Sequence, residues 1–269
     1  MQTSKVVLVT GASSGFGRET VSLLSQSGFR VFGTSRKPSG SETRAGVEMV
    51  QLDIDSDESV SRCVNTVQEK AGHVDVLVNN AGYVLTGGIE ETSIEEAKAQ
   101  FETNFFGAVR MTKAVLPAMR KRGSGQIVNI SSLVAVLPVP FEGYYAAAKA
   151  ALLAYSEALR HEVKSLGVKV SVVEPGFFRT NLSQARRAAK ETIGDYDGMR
   201  TRAVGALEDA FKRGGDPRIV AERVLRIIES KSPRLEYLAG KAGRYRALKH
   251  ILPQSLMESA LRRRWKLES

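Results

Sequence analysis

The sequence predicts an α/β fold with a single doubly wound parallel sheet that has helices on both faces. Short runs rich in Val and Ile alternate with longer stretches of helical periodicity, which is typical of parallel strands joined by crossover helices. These strand-like runs span residues 6–10, 30–35, 47–53, 74–80, 126–131 and 168–175, and the segment 235–240 (LEYLAG) is expected to be a last strand. Because Val6–Val9 is apolar throughout, we expect helices to cover both faces of the sheet.

One domain is expected to hold the whole sheet, since 269 residues fit a single large α/β unit. We assign residues 1–240 to a dinucleotide-binding catalytic domain with two long helical stretches, over residues 100–122 and 144–166. Residues 241–269 form a basic carboxyl-terminal extension, predicted to consist of one or two helices interrupted by Pro253. We expect this extension to pack on or near the same domain.

The net charge of +10 is concentrated near the carboxyl terminus, where residues 231–269 hold ten Lys or Arg and three Glu. No helix-turn-helix signature, zinc-ligand spacing or interleaving of basic and aromatic residues accompanies this charge. Neither nucleic acid nor a metal is therefore expected as a ligand. A solvated helix end is the preferred interpretation of the basic run Arg262–Lys266, and peripheral contact with an anionic membrane is the alternative.

A cytoplasmic location is expected from the cysteine content and the amino terminus. Cys63 is the only cysteine, so no disulfide can form within the chain and a reducing compartment fits best. The first residues lack the basic region and apolar core of a secretion signal, and no run approaches the roughly 20 apolar residues that span a bilayer.

A glycine-rich loop, Thr10–Gly17 (TGASSGFG), follows the first strand and opens a helix. Glycines allow a tight turn and the close approach of a pyrophosphate, while the helix amino terminus supplies free N–H groups and partial positive charge. The position of the loop predicts a Rossmann-like dinucleotide-binding site, although the glycine spacing differs from the usual fingerprint. A glycine turn that serves only close packing is the alternative.

The end of the second strand favours NADP(H) over NAD(H) as the cofactor. It carries Arg36 and Lys37 where NAD-binding proteins usually have an acid that binds the ribose 2′-hydroxyl. A guanidinium can instead bind a 2′-phosphate through two hydrogen bonds. NAD(H) stays open as an alternative, and an exposed basic loop would explain the same residues without a ligand.

A candidate proton-transfer group lies in the second long helix. Tyr145 and Lys149 are four residues apart and share a helix face, whereas Tyr144 has Ala148 at the matching position. An adjacent ammonium lowers the pKa of a phenol, so Tyr145 is the better general acid or base. Ser132, just after the fifth strand, can hold the oxygen of a carbonyl substrate. By itself, a Tyr and Lys pair at this spacing is more often a surface feature.

Five motifs in order resemble those of the short-chain dehydrogenase/reductase family. They are the glycine loop, Asn79-Asn80-Ala81-Gly82 after the fourth strand, Ser132, Tyr145-x-x-x-Lys149, and Pro175-Gly176 after the sixth strand. Ser132 precedes Tyr145 by thirteen residues, as in that family, and the motifs cover about residues 5–182. The carboxyl-terminal half resembles the hydroxysteroid and retinol dehydrogenase branch more weakly.

The resemblance implies a role for each member of a catalytic group. Tyr145 would be the general acid or base, Lys149 would bind the nicotinamide ribose and lower the pKa of Tyr145, and Ser132 would orient the substrate oxygen. Asn104, in an Asn-Phe-Phe-Gly segment, would hold a water in the proton relay. A lone helical Asn otherwise serves capping or core hydrogen bonding.

The cofactor site that the glycine loop and the resemblance together imply is extensive. Its residues are Gly11, Ser13, Ser14, Gly15, Phe16, Gly17, Arg36, Lys37, Asp53, Ile54, Asn79, Asn80, Ala81, Gly82, Tyr145, Lys149, Pro175, Gly176, Phe178 and Thr180. Asp53 would contact the adenine, or alternatively cap the following helix. NADP-dependent family members often have a basic residue where this chain has Ser14, so the preference for NADP rests on Arg36, with help from Ser13, Arg18 and Lys37.

The substrate is expected to be a lipophilic ketone, aldehyde or secondary alcohol, because apolar residues are prominent in the loops beyond the strand ends. These loops span residues 84–88, 133–142 and 177–199. The polar segment 182–215 is consistent with a lid that orders over the substrate, or with disorder that has no function.

An NADPH-dependent oxidoreductase is the function that these observations favour. The alternatives are a catalytically silent NADP-sensing or scaffold protein, and a dehydratase or epimerase on the same fold. A pure sensor has no need of the acid that Tyr145 supplies, which favours the enzyme. We also expect a homodimer or homotetramer, although the small residues of Ala146–Ala151 fit core packing as well as a subunit interface.

Overall fold

The computed structural model describes residues 4–37, 46–179 and 186–267. The described residues form nine strands, which are β1 Val6–Val9, β2 Arg30–Ser35, β3 Val47–Gln51, β4 Val76–Asn79, β5 Val84–Thr86, β6 Gly125–Ile130, β7 Val168–Pro175, β8 Arg186–Ala188 and β9 Glu236–Ala239. Seven of them make one sheet in the order β3-β2-β1-β4-β6-β7-β9, with every pairing parallel. This sheet confirms the doubly wound fold that the sequence predicts.

Helices alternate with the strands along the chain. Within the described ranges they are α1 Gly15–Gln26, α2 Asp57–Ala71, α3 Ile94–Phe101, α4 Gly107–Arg122, α5 Gly143–Val163, α6 Asp197–Lys212, α7 Arg218–Glu229, α8 Ala242–Ile251 and α9 Gln254–Arg264. The strand order reverses beside β1, which lies between β2 and β4. Ligands of open α/β sheets bind at such a reversal, beyond the carboxyl ends of the strands.

Two hydrophobic cores cover the two faces of the sheet, because successive side chains of a strand point to opposite faces. In β1, Val6 and Leu8 pack with buried side chains of α2, α4 and α5. Val7 and Val9 pack on the other face with α1 and α7. The continuous apolar run Val6–Val9 is thus explained by burial on both sides, as expected.

The predicted helix over residues 100–122 is not continuous. Helix α3 begins earlier, at Ile94, where Ser93 and Glu96 form a capping box. A π-helical turn over Glu102–Phe106 then separates α3 from α4. Periodicity does not reveal such a turn, because it inserts one residue into an otherwise helical pattern.

The segments expected to be substrate loops contain regular structure. Val84–Thr86 is a strand, β5, and it pairs in parallel with β8 outside the main sheet. Much of the segment expected to be a lid is helix α6, which buries Leu207 and three alanines. Thr180 and Leu182 lie outside the described residues.

The basic extension forms α8 and α9, with Pro253 between them. Its apolar side chains pack on the residues that precede it, and Trp265, which is 3% exposed, joins a cluster that includes Phe177 and Tyr145. Arg246 donates a hydrogen bond of 2.8 Å to Glu174 at the end of β7. Among the described residues, no helix is both long and apolar enough to cross a bilayer.

Candidate active site

A cleft of about 380 Å³ lies beyond the carboxyl ends of β1, β2, β3 and β4. Eleven of the residues expected at the cofactor line it, namely Gly11, Ser13, Ser14, Gly15, Phe16, Arg36, Asp53, Ile54, Asn80, Ala81 and Gly82. Lys37 is exposed and is not among the lining residues. The cleft also contains residues that the motifs did not indicate, among them Tyr83, Thr103 and Arg187.

The glycine loop has a shape that only glycine permits at two positions. Gly11 has a φ of +67°, and a Cβ built on it would lie 2.9 Å from the Cα of Ala81. A Cβ on Gly17 would lie 2.2 Å from the carbonyl oxygen of Gly11. The side chain of Ser14, the N-cap of α1, makes no capping hydrogen bond to the helix. The loop therefore leaves the space and the helix amino terminus that a dinucleotide pyrophosphate requires.

Asn80 holds the glycine loop rather than pointing an open amide into the cleft. Its Nδ2 donates to the carbonyl oxygens of Thr10, at 2.9 Å, and Gly11, at 3.1 Å. The hydroxyl of Thr10 in turn accepts from the N–H groups of Asn80 and Ala81. These bonds tie the loop after β1 to the segment after β4, so the two walls of the cleft form one unit.

Asn79 lies in the protein interior. Its Nδ2 donates to Asn129 at 2.9 Å and to Thr112 at 3.3 Å, and the residue is 3% exposed. It is not among the residues that line the cleft. The side chain of Asn79 therefore supports the sheet from the core, because successive residues at a strand end face opposite directions.

At the far end of the cleft, Asp53 does not cap the following helix. The cap of α2 is Ser56, whose hydroxyl accepts from the N–H of Ser59. Asp53 accepts from the N–H of Asp55 at 3.2 Å and lines the cleft. The carboxylate of Asp53 thus lies at the cleft wall, where the sequence analysis expected the adenine.

The candidate proton-transfer group assembles from α5 and the segment after β6. The ammonium of Lys149 lies 5.9 Å from the centroid of the Tyr145 ring and donates to the carbonyl of Ile130 at 2.8 Å. A hydrogen bond joins the side chains of Tyr145 and Ser132. The hydroxyl of Ser131 donates to the carbonyl of Lys149 at 3.0 Å. Tyr145, Lys149 and Ser132 therefore lie together, as their spacing in the sequence predicted.

The ionisation of this group differs from the expectation that Lys149 lowers the pKa of Tyr145. Burial, followed by the nearby Glu142 carboxylate, raises the pKa of Tyr145 above its ordinary value, and the bond to Ser132 opposes this only in part. Burial also lowers the pKa of Lys149 to about 8. Desolvation is the largest cause of both shifts, because burial disfavours the charged form of each group.

Asn104 lies in the π-helical turn and is 1% exposed. Its Oδ1 accepts from the N–H of Tyr83 at 3.1 Å, and its Nδ2 donates to the carbonyl of Tyr83 at 2.8 Å. The side-chain amide thus holds the backbone directly after Gly82. A water in a proton relay would bind the remaining N–H of this amide, the second lone pair of its Oδ1 or the backbone of the π turn.

A second, smaller cavity of about 40 Å³ borders Tyr145 and Ser132. It shares Phe16 with the cleft, and its other walls are mostly apolar: Leu133, Val134, Pro175, Gly176, Phe177, Phe178 and Phe211. Phe178 is 1% exposed and packs edge to face on Phe16 at 5.4 Å between ring centroids. The cavity therefore combines the hydroxyl groups of Tyr145 and Ser132 with mainly apolar walls.

Glu142 and Arg186 belong to this region, and neither was predicted from the sequence. Glu142 is 1% exposed and borders the small cavity, and burial raises its pKa to about 7. Its Oε1 accepts from Arg186 at 3.1 Å. The signal for Glu142 was an acid three residues before Tyr145 in an otherwise apolar stretch. Nothing local marks Arg186, which is 44 residues away.

A family model described as short chain dehydrogenase matches residues 5–191. The 3-ketodihydrosphingosine reductase of Bacteroides thetaiotaomicron is 39% identical over 262 residues, which cover 96% of this chain and 97% of that protein. Retinol dehydrogenase 8 of Homo sapiens is 35% identical over 252 residues, covering 86% of this chain and 80% of that protein. The matches therefore include the retinol dehydrogenase branch.

Two solved structures show the same fold. A short-chain dehydrogenase from Streptomyces avermitilis has a TM-score of 0.80 and 36% identity, and the match covers 97% of this chain and 98% of that chain. A closed form of serine dehydrogenase complexed with NADP+ has a TM-score of 0.74 and 28% identity, with 86% of this chain and 94% of that chain covered. The similarity thus includes both the sheet and the motif-bearing segments.

Proposed function

Since the chain belongs to the short-chain dehydrogenase/reductase family, and is therefore an oxidoreductase, we propose that it is an NADPH-dependent carbonyl reductase. Its substrate would be a lipophilic ketone or aldehyde, with the matching secondary alcohol as the substrate of the reverse reaction. The observation that carries the proposal is the group of Tyr145, Ser132 and Lys149 beside a mainly apolar cavity that shares a wall with the dinucleotide cleft.

Tyr145 would donate the proton in this reaction. When bound, NADPH supplies the hydride to the carbonyl carbon. A raised pKa keeps the proton on Tyr145 at neutral pH, so the phenol is ready to protonate the alkoxide that develops on the substrate oxygen. Ser132, which is hydrogen-bonded to Tyr145, would hold that oxygen. Lys149 donates one N–H to Ile130, and its other N–H groups would bind the nicotinamide ribose.

NADPH is favoured over NADH because the end of β2 carries no carboxylate. The sequence there is Thr34-Ser35-Arg36-Lys37, and Arg36 lines the cleft. A guanidinium at this position suits a 2′-phosphate, which a carboxylate would repel. The NADP+ complex of the serine dehydrogenase structure is consistent with this preference.

A long-chain keto compound is the first substrate to test. The Bacteroides thetaiotaomicron relative is named for reduction of 3-ketodihydrosphingosine. The apolar walls formed by Phe177, Phe211 and Leu133 support a substrate with an apolar chain. We propose a lipophilic ketone as the class, with that compound as one member of the panel.

The deciding experiment measures NADPH and NADH oxidation by the full chain against a carbonyl panel, with Tyr145→Phe and Tyr144→Phe as a matched pair. Loss of the phenolic proton should lower kcat about 10²–10⁴-fold in Tyr145→Phe. Tyr144→Phe should keep its activity, since Tyr144 has no lysine at the matching helical position. The dissociation constant for NADPH should be similar in both variants.

Three results would contradict this proposal. Cofactor binding without turnover of any panel member, in the wild type, would favour the NADP-sensing or scaffold alternative. A product that has lost water or changed configuration without net redox change would favour a dehydratase or epimerase. Full activity of Tyr145→Phe would remove Tyr145 from the proton-transfer step.

We also propose that the corner between α8 and α9 contacts a lipid surface. Ile251 is 76% exposed, Leu256 57% and Leu248 46%, and Leu248 and Ile251 share a face of α8. The same two helices carry Arg244, Lys249 and the run Arg262–Arg264, so apolar side chains and positive charge occur together. This combination is typical of helices that bind anionic membranes.

We also propose that the protein forms a homodimer or a homotetramer. Ala146 and Ala148 are buried within the chain, which accounts for two of the small residues at the start of α5 by core packing. Ala147 is exposed on the same helix. Phe106, the residue directly before α4, is 44% exposed. These side chains are the ones that a subunit interface would cover.

A further inference from the structure

Arg187 brings a positive charge into the dinucleotide cleft from a segment that contains none of the nucleotide-binding motifs. It lines the cleft together with Arg36 and the glycine loop, although it lies in β8, beyond the Pro175-Gly176 motif. Its guanidinium carbon lies 4.2 Å from the centroid of the Tyr83 ring. Tyr83 directly follows Gly82, so Arg187 lies over the wall formed by the segment after β4.

The position of Arg187 is fixed by backbone pairing. Strand β8 pairs in parallel with β5, with Arg187 opposite Leu85, and the N–H of Ala189 donates to Thr86 at 2.8 Å. Because side chains alternate along a strand, the two arginines of β8 point in opposite directions. Arg186 reaches Glu142 beside Tyr145, whereas Arg187 reaches the cleft.

The charge of Arg187 is not neutralised by a carboxylate in the described part of the chain. The ion pairs found there include Arg186 with Glu142 and Arg200 with Glu91, but none with Arg187. The guanidinium of Arg187 lies against the Tyr83 ring and shares a hydrogen bond with the Tyr83 side chain, and a guanidinium has further N–H donors that this one bond does not use. A planar guanidinium binds phosphate oxygens through two parallel hydrogen bonds.

We propose that Arg187 binds a phosphate group of the dinucleotide from the β8 side of the cleft. The inference rests on the proposed function, since it takes NADPH as the ligand. Arg187 would then act with the glycine loop, which approaches the same ligand from the β1 side. Because Arg187 belongs to β8, binding of the cofactor would also strengthen the pairing of β8 with β5, beside the Glu142–Arg186 ion pair. Cofactor binding would thereby order one wall of the substrate site.

The test compares Arg187→Gln with Lys190→Gln in the full-length protein, without substrate. Lys190 lies in the same segment and is exposed, but it is not among the residues that line the cleft. The dissociation constants for NADPH and NADH are measured by titration calorimetry. We expect Arg187→Gln to weaken binding about tenfold, as for the loss of one charge-assisted contact, and Lys190→Gln to bind as the wild type does.

Three further arms identify the phosphate and separate binding from structure. Equal weakening for NADPH and NADH indicates the pyrophosphate, whereas weakening for NADPH alone indicates the 2′-phosphate, as expected for Arg36→Ala. Arg187→Lys retains the positive charge but cannot form the two parallel hydrogen bonds of a guanidinium. Its dissociation constant for the dinucleotide should therefore lie between those of Arg187→Gln and the wild type. In hydrogen exchange, NADPH should protect the amide of Ala189 in the wild type but much less in Arg187→Gln.

Wild-type affinity of Arg187→Gln for both dinucleotides would overturn this inference and leave the proposed function intact. If the wild type bound neither dinucleotide, the proposed function would fail together with the inference. Weakened binding accompanied by a lower melting temperature of the cofactor-free variant would show that Arg187 supports the fold through Tyr83 rather than the ligand.

Discussion

At the scale of single residues, Lys149 is a charged group that the site keeps at a cost to stability. Burial lowers its pKa from 10.5 to about 8, so the folded protein binds this proton less tightly than the unfolded chain does. The cost is fully present below pH 8 and is relieved as the pH rises from 8 to 10.5. The carbonyl of Ile130 accepts one hydrogen bond, which offsets part of the cost.

We therefore expect Lys149→Met to be more stable than the wild type near neutral pH, by about 1–3 kcal/mol, while its reductase activity is lost. Urea unfolding of the cofactor-free protein measures this difference. The gain should shrink as the pH is raised above about 8, because the wild-type lysine then becomes neutral. Lys113→Met is the control, since Lys113 is exposed on α4 and should change stability little at either pH. Equal stability of Lys149→Met and the wild type would contradict the prediction that the buried charge of Lys149 lowers the stability of the fold.

The sequence contained the spacing of Ser132, Tyr145 and Lys149, because these residues lie close along the chain or follow a strand end. The raised pKa of Tyr145 could not be predicted from the sequence, because it depends on how far the fold excludes water. The pairing of Glu142 with Arg186, which lies 44 residues away, could not be predicted either. Such contacts arise from packing and leave no local pattern for sequence analysis to find.

At the scale of elements, the close packing of α1 against the glycine loop depends on the absence of a side chain at Gly17. We expect Gly17→Ala to weaken NADPH binding and to lower the free energy of unfolding, because its Cβ would lie 2.2 Å from the carbonyl oxygen of Gly11. Gly205→Ala is the matched control, since a Cβ on this residue of α6 meets nothing within 4 Å. The control should be stabilised by about 0.5–1 kcal/mol, as is usual for alanine in a helix. Titration calorimetry measures NADPH binding, and urea unfolding measures stability. Wild-type affinity of Gly17→Ala for NADPH would be evidence against a role of the glycine loop in cofactor binding.

The main strands were predictable, whereas β5, β8 and the π turn were not. Most strands of the main sheet are short runs rich in Val and Ile, which is a strong local signal. Strand β5 has three residues, and its partner β8 is Arg-Arg-Ala, so neither has a recognisable pattern. Their pairing depends on contacts elsewhere, including the ion pair of Arg200 with the buried Glu91.

At the scale of the whole molecule, the basic extension should decide whether the protein binds membranes. We expect the wild type to co-sediment at low salt with vesicles that contain an anionic phospholipid, and to be released as salt is raised. Ile251→Asp should abolish binding, because it places a charge on the exposed apolar corner. Leu166→Asp should have no effect, since Leu166 is 40% exposed but lies outside α8 and α9.

Failure of the wild type to co-sediment would contradict the membrane proposal. If Ile251→Asp instead converted a dimer to a monomer in solution, as measured by light scattering, the corner would be a subunit interface. The two results are separable, because vesicle binding depends on lipid charge and self-association does not.

Trp265 gives this molecule an internal optical reporter, because it is the only tryptophan in the chain. Its ring lies 5.7 Å from that of Phe177, which in turn lies 5.3 Å from Phe211. Both phenylalanines border the cavity beside Tyr145. The intrinsic tryptophan emission of the unmodified protein therefore comes from one buried position behind the wall of this cavity. Quenching or spectral shifts on addition of ligand would report events at that wall without an added label.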